Sequence, residues 1–279
     1  VLSHEYVADR CAAETVGTLQ AASALIQLEL RQRSLAAFEQ QFFRQARQDP
    51  NAPQDGFTQQ MKALRQPIAA DDRNAWLQEA LAKKTGYEDT HPCLRDRLAA
   101  LGYGTTQVEF LLDQTSTQSA AEVYLGEYLQ VLLAKGDRAW SIDYAAVWHQ
   151  HHRRFLKACA ELEPLAEQLK QEPENEAIEL EYAEKTWKLI DGDEALPLYE
   201  DILRRKPSQS EALYAIGQIL LRKGDLAGLE KIEQAMTLRS TLTVNGCQLM
   251  YRFWVKRGDW ECAKQYLDRA EKYYRRSPT

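Results

Sequence analysis

"EALYAIGQILLRKGD", residues 211–225, decides the fold, because it runs a helical pattern directly into a Gly-Asp pair. Gly-Asp recurs at 192–193, 224–225 and 258–259, at separations of 32 and 34 residues. Each pair is expected in the turn between two helices. A small residue follows where those helices must approach closely, Ala195, Gly228 and Ala263, and then a larger knob one turn on, Tyr199, Ile232 and Leu267. A further Gly-Asp at 136–137 is out of phase and stands outside the array. One helix hairpin cannot bury its apolar face alone, so stacking at least three makes one continuous core.

Gly217 within the quoted stretch holds an inner small position, and Pro207 in "ILRRKP" closes the repeat before it. With a period near 34 residues, these positions resemble the tetratricopeptide consensus. The middle repeat is one residue short and "STLTVNGC", residues 240–247, is a loose joint; generic helical hairpins are the alternative. The resemblance implies three repeats over residues 175–279 that take protein or peptide partners along a concave groove. Tyr182, Trp187, Trp254, Trp260, Tyr266, Tyr273 and Tyr274 lie at helical spacings as core knobs or groove liners, and "KKTGY" and "RRKP" offer rim charge.

Outward from the array, glycine is scarce, with 13 in 279 residues, and alternating β-branched runs are almost absent. Ala, Leu, Glu, Gln, Lys and Arg dominate, so the fold class is all-α. Helices are expected at 4–16, closing at Gly17, then at 18–48, 58–65, 72–84 and 92–101, the last with Pro92 in its first turn. "GYGTTQ" and "DQTSTQSA" mark a polar break between 102 and 120. Helices at 120–135 and 138–170 and the linker "KQEPENE", residues 170–176, lead into the repeats. The expected domains are therefore 1–103, a linker with long helices at 104–174, and 175–279.

The 35 basic and 41 acidic residues leave a net charge of −6, which argues against nucleic acid as a partner. Five scattered cysteines with no CxxC pair read as reduced thiols in a cytosolic compartment. No apolar run approaches the roughly 20 residues a membrane span needs. Helical periodicity from the first residues, without a preceding cap, suggests a chain cut from something longer.

"SHEYVADRCAAE", residues 3–14, puts Glu5 and Asp9 one helical turn apart on one face, a pair that is either a solvated helix edge or half of a metal site. "SHEYVAD" resembles the S-x-x-E-x-x-A-D segment of zinc metallopeptidases related to the heat-shock protease HtpX and the CAAX prenyl endopeptidases, with one residue fewer before the glutamate. "DTHPCLRDRLAALG", residues 89–102, resembles the [ST]-H-P-x-x-x-x-R-[IL] segment that follows in that family. The resemblance covers residues 1–103 and implies the helical end of a zincin domain. It makes Glu5 the third zinc ligand and Asp9 the group that accepts a hydrogen bond from a ligand histidine. His91 either lies near the active-site cleft and touches the metal, or caps a helix starting at Pro92. Arg95 and Arg97 are expected to tie that helix to neighbouring carboxylates.

No HExxH occurs: Ala8 stands where a second histidine would follow His4-Glu5. In "WHQHHRR", residues 148–154, His149 and His152 share a helix face, but Cys159 lies two turns beyond His152, too far for the same metal. Two readings follow. One is the C-terminal region of a membrane-anchored zinc metalloendopeptidase facing the cytoplasm, with zinc in the full-length protein and none in this fragment, which is inactive alone. The other is a non-catalytic helical scaffold.

Overall fold

A computed structural model describes residues 2–86, 89–105, 108 and 119–276. Among them the chain is all-helical and divides into two compact units, residues 1–152 and 153–279. The first unit opens with α1 (Leu2–Val16), which stops at Gly17, whose φ of 95° only glycine adopts without strain. Next come α2 (Thr18–Phe42), a 3-10 turn (Phe43–Arg47), α3 (Gly56–Arg65), α4 (Ala70–Ala82), α5 (Leu94–Ala100) and α6 (Ala120–Leu125). Helix α7 (Tyr128–Gln171) contributes to both units.

Ala22, Ile26 and Leu30, at i, i+4 and i+8 on α2, pack with Leu77 and Leu81 of α4 and Leu98 of α5. A second cluster joins Phe42 and Ala46 to Trp140 and Trp148 of α7, with Phe42 edge-on to both indoles at 5.5 Å. Helix α3 lies close against α7 because Gly56 and Gly136 have no Cβ, which would reach 2.2 Å from Trp140 and 2.4 Å from Phe57.

Several boundaries differ from expectation, and α6 stops at Leu125 rather than running to 135. The helix expected to end at Gln48 tightens into the 3-10 turn at Phe43. Gly136-Asp137 does not divide two helices but lies within α7, where the Asp137 carboxylate accepts hydrogen bonds from the Thr58 N–H and hydroxyl, both at 2.7 Å, at the start of α3. Helix α5 starts at Leu94 after an extended Cys93, two residues later than Pro92, so His91 does not cap it. Of the expected break at 102–120, residues 106–107 and 109–118 lie outside the described residues. Ser119 then forms a reciprocal capping box with Glu122.

In the second unit three hairpins follow: α8 (Glu176–Leu189) with α9 (Gly192–Arg205), α10 (Ser210–Arg222) with α11 (Ala227–Leu238), and α12 (Thr243–Lys256) with α13 (Trp260–Arg276). Gly224 and Gly258, at φ 82° and 76°, end α10 and α12 with the 6→1 bonds of a Schellman motif, Asp225 N–H to Leu220 O and Asp259 N–H to Trp254 O, both 3.0 Å. The aspartate after each glycine caps the next helix, accepting from Ala227 N–H and Cys262 N–H at 2.9 Å.

The first hairpin corrects the expected phase. There Asp191 is the cap, accepting from Glu194 N–H at 2.9 Å, and Gly192 is already helical. The capping aspartates 191, 225 and 259 thus recur every 34 residues, with Ile190 where the other turns have glycine. The apparent first spacing of 32 came from the wrong Gly-Asp. Ala195, Gly228 and Ala263 are all buried at the crossings. Gly228 faces Gly217 across the α10–α11 contact, where a Cβ on Gly228 would lie 2.6 Å from the Gly217 carbonyl oxygen. Of the knobs, Tyr199 and Ile232 are buried, whereas Leu267 is exposed and Tyr266 turns into the core instead.

Candidate functional site

In the first unit, α1 and α5 bring together the two segments that carry the metallopeptidase resemblance. Glu5 Oε1 lies 2.9 Å from His91 Nδ1, and Glu5 Oε2 lies 3.3 Å from Arg97 Nη2. Asp9, buried beside them, accepts a fork of two hydrogen bonds from Arg97, Nε to Oδ2 at 2.8 Å and Nη2 to Oδ1 at 2.5 Å. The hydrogen bond to Asp9, reinforced by the Asp9 and Glu5 charges, raises the Arg97 pKa against the opposing effect of burial. His91 is two-thirds exposed. Arg97 therefore ties α5 to α1, while Arg95 turns the other way, to Asp96 at 2.9 Å.

These residues do not fit a zinc site by themselves. Catalytic zinc takes three protein ligands whose lone pairs converge at about 2.0–2.2 Å from the ion. Here both Asp9 oxygens are committed to Arg97, and only Glu5 and His91 remain. Among the described residues no group of three or more His, Cys, Asp or Glu side chains is placed to hold a metal ion. His149 and His152 are not drawn into one either: His152 Nδ1 meets the Ala46 carbonyl oxygen at 2.7 Å, and His149 is exposed.

In the second unit, α8 and α10 flank a groove of about 730 Å³. Leu180, Trp187, Tyr199, Tyr214 and Leu242 supply its apolar surface. Glu181, Glu184 and Glu211 stand with Lys188, Gln218 and Arg222 around it. The Arg222 guanidinium sits 4.9 Å from the centre of the Trp187 ring, so one wall presents a cation stacked on an indole. Burial pushes the Tyr199 hydroxyl up to about 12 and raises that of Tyr214.

Trp187 was legible as a groove candidate; Tyr214 and Arg222 were not singled out, though they lie eight residues apart on α10, a helical spacing that shares a face. "RRKP" is not at this rim. Arg205 and Lys206 pair with Glu179 and Glu176 of the same hairpin, and "KKTGY" belongs to the first unit.

A tetratricopeptide repeat family model matches residues 187–228, from the last turn of α8 through α9 and α10 into α11. The match supports the tetratricopeptide part of the resemblance and includes Trp187, Tyr199, Tyr214 and Arg222 of the groove; nothing among the comparisons supports the metallopeptidase part. No curated protein and no solved structure matches the chain. Among the described residues no helix is long and apolar enough to cross a membrane.

Proposed function

We propose that this chain is a helical interaction module whose repeats hold a peptide segment of a protein partner in the groove between α8 and α10. The observation that carries this is the groove itself: a concave strip with Trp187, Tyr199 and Tyr214 along it and charges of both signs around it, within a tetratricopeptide-type region. Aromatic side chains beside arginine are the residue types that dominate binding energy at protein interfaces. Peptides selected from a displayed library on the 279-residue chain should lose affinity by about tenfold or more in Trp187→Ala or Tyr214→Ala variants that keep native circular dichroism. Binders indifferent to both substitutions would move the binding surface elsewhere.

A second reading is favoured by one observation, the meeting of Glu5 with His91 and of Asp9 with Arg97, pairs 86 and 88 residues apart in sequence. On it, residues 1–103 belong to a zinc metalloendopeptidase anchored at the cytoplasmic face of a membrane, and residues 175–279 present its protein substrates. Glu5 then supplies one ligand to a zinc whose histidines come from outside these 279 residues, Asp9 is a positioning residue, and His91 borders the cleft. In a longer protein carrying HExxH, Glu5→Gln should lower bound zinc measured by elemental analysis. Full zinc content and full activity in Glu5→Ala would remove the assignment.

A further inference from the structure

Around the groove between α8 and α10 the charges are matched within the chain, with one exception. Glu181 pairs with Lys185 at 3.0 Å, Glu184 with Lys188, and Glu211 with Arg239. Among the described residues no carboxylate meets Arg222, whose guanidinium lies over the Trp187 ring instead. The indole holds that guanidinium at the wall, so little further freedom is lost when its fork of N–H donors closes on an acceptor. Tyr214 and Gln218 line the same face of α10, eight and four residues before Arg222. Residues 175–279 carry 17 basic and 17 acidic side chains, so the repeats present no net repulsion to a negatively charged partner.

We propose, resting on the peptide groove above, that its occupant is acidic at one defined place: an Asp or Glu side chain closes on the Arg222 fork while an apolar side chain beside it lies against Trp187. Charge complementarity chooses the sign. A cation brought to Glu181, Glu184 or Glu211 displaces the cation already there and gains little net, whereas a carboxylate brought to Arg222 makes an ion pair where none existed. That carboxylate belongs to a side chain of a continuing segment. Chain-terminal carboxylates are captured in backbone nests, and the walls here are helical turns whose N–H groups are bonded within α8 and α10. The eight residues from Tyr214 to Arg222 rise about 12 Å, a span that an extended peptide covers in three or four residues. A second apolar side chain that far from the acid therefore reaches Tyr214.

Peptides selected on the 279-residue chain from a displayed library, then synthesised with acetylated and amidated ends, should share one Asp or Glu with an apolar residue next to it and another about three or four positions away. In calorimetric titrations, changing that acid to its amide should weaken binding about tenfold on the unaltered chain and scarcely at all on Arg222→Gln. Arg222→Glu, with native circular dichroism, should prefer the same peptide carrying Lys in place of the acid. Peptides with no shared acid, or an acid whose loss costs as much on Arg222→Gln as on the unaltered chain, overturn the proposal. If such peptides still weaken in Trp187→Ala and Tyr214→Ala, the groove stands and only its acidic occupant falls. Binders indifferent to those two substitutions remove the groove and this occupant with it. Peptides that bind only with a free C-terminal carboxylate overturn the side-chain assignment.

Discussion

The two units hold helices together by different means. In the first, long-range charged ties link elements far apart in sequence: Arg97 to Asp9 across 88 residues, Asp137 to Thr58 across 79, and Arg33 to Glu79 across 46. In the second, backbones approach at Ala195, at Gly217 with Gly228, and at Ala263, and ion pairs join positions about one repeat apart, such as Arg269 with Glu233. The first unit is therefore vulnerable to loss of single charges, each with its own partner. The second is vulnerable to added volume, and it can fail hairpin by hairpin because a solenoid couples mainly between neighbours.

The largest effect expected from this contrast is at Arg97. Removing it in Arg97→Ala leaves the Asp9 carboxylate buried without a counter-charge, a loss of about 3 kcal/mol given that a fifth of the arginine side chain still meets water. Chemical denaturation should show the change in the first unit's transition. A loss under about 1 kcal/mol would mean that apolar packing alone holds α5 to α1.

Adding volume tests the other side. Gly228→Leu drives a side chain into the Gly217 carbonyl and Leu221, and should cost about 2 kcal/mol. Hydrogen exchange should rise in α10, α11 and the flanking hairpins while residues 2–86 stay protected. Ala263→Leu should loosen α12 and α13 only. Uniform loss of protection through α1–α5 after Ala263→Leu would show one cooperative body and remove the contrast.

The same contrast explains what could be read from the sequence. Repeats announce themselves: small residues at 195, 228 and 263 and Gly-Asp at 224 and 258 all sit at crossings or turns, because the local rule is the same each time. The one misread phase, at Asp191, arose where Ile190 replaces the usual glycine and a second aspartate follows two residues later. Leu267, expected as a knob, is exposed, and its neighbour Tyr266 packs on the core instead, a rotation that the spacing alone does not reveal. In the first unit, by contrast, the meeting of Glu5 with His91 and of Asp9 with Arg97 depends on how α1 and α5 pack. No spacing within either helix reveals that. Gly136-Asp137 shows the same limit, since its role is to admit Phe57 and cap α3, both distant in sequence.

Asp137→Ala should have a smaller effect than the two changes above. It removes two hydrogen bonds at the start of α3, and helix caps are worth about 1 kcal/mol. Gly136→Ala, which pushes a methyl group toward Phe57, should loosen the same contact by a different route. If exchange at the first turn of α3 stayed unchanged in Asp137→Ala, the tie would be a bystander to the aromatic packing around Trp140.

The smallest expected effect is one of pH. The hydrogen bond with the Thr85 side chain, with help from Arg95, Cys93 and the Thr85 backbone, holds the Asp96 carboxyl well below the usual carboxylate range despite some burial. Thr85 in turn accepts from the Cys93 N–H at 3.0 Å, so this carboxylate secures the segment that carries His91 to Glu5. A folded-state value below the unfolded one means that ionised Asp96 stabilises the fold. That contribution is fully present above the ordinary value of 3.8 and is lost as pH falls toward the folded value. Nearly a third of the side chain faces water, which screens the effect to about 1 kcal/mol or less. Thermal melts of Asp96→Asn against the unaltered chain should show a constant gap between about pH 5 and pH 7 that narrows steadily below about pH 4. A gap that stayed level down to pH 2 would mean the asparagine fails for a reason other than charge, and the first unit would lean less on single ionised groups than its contrast with the repeats implies.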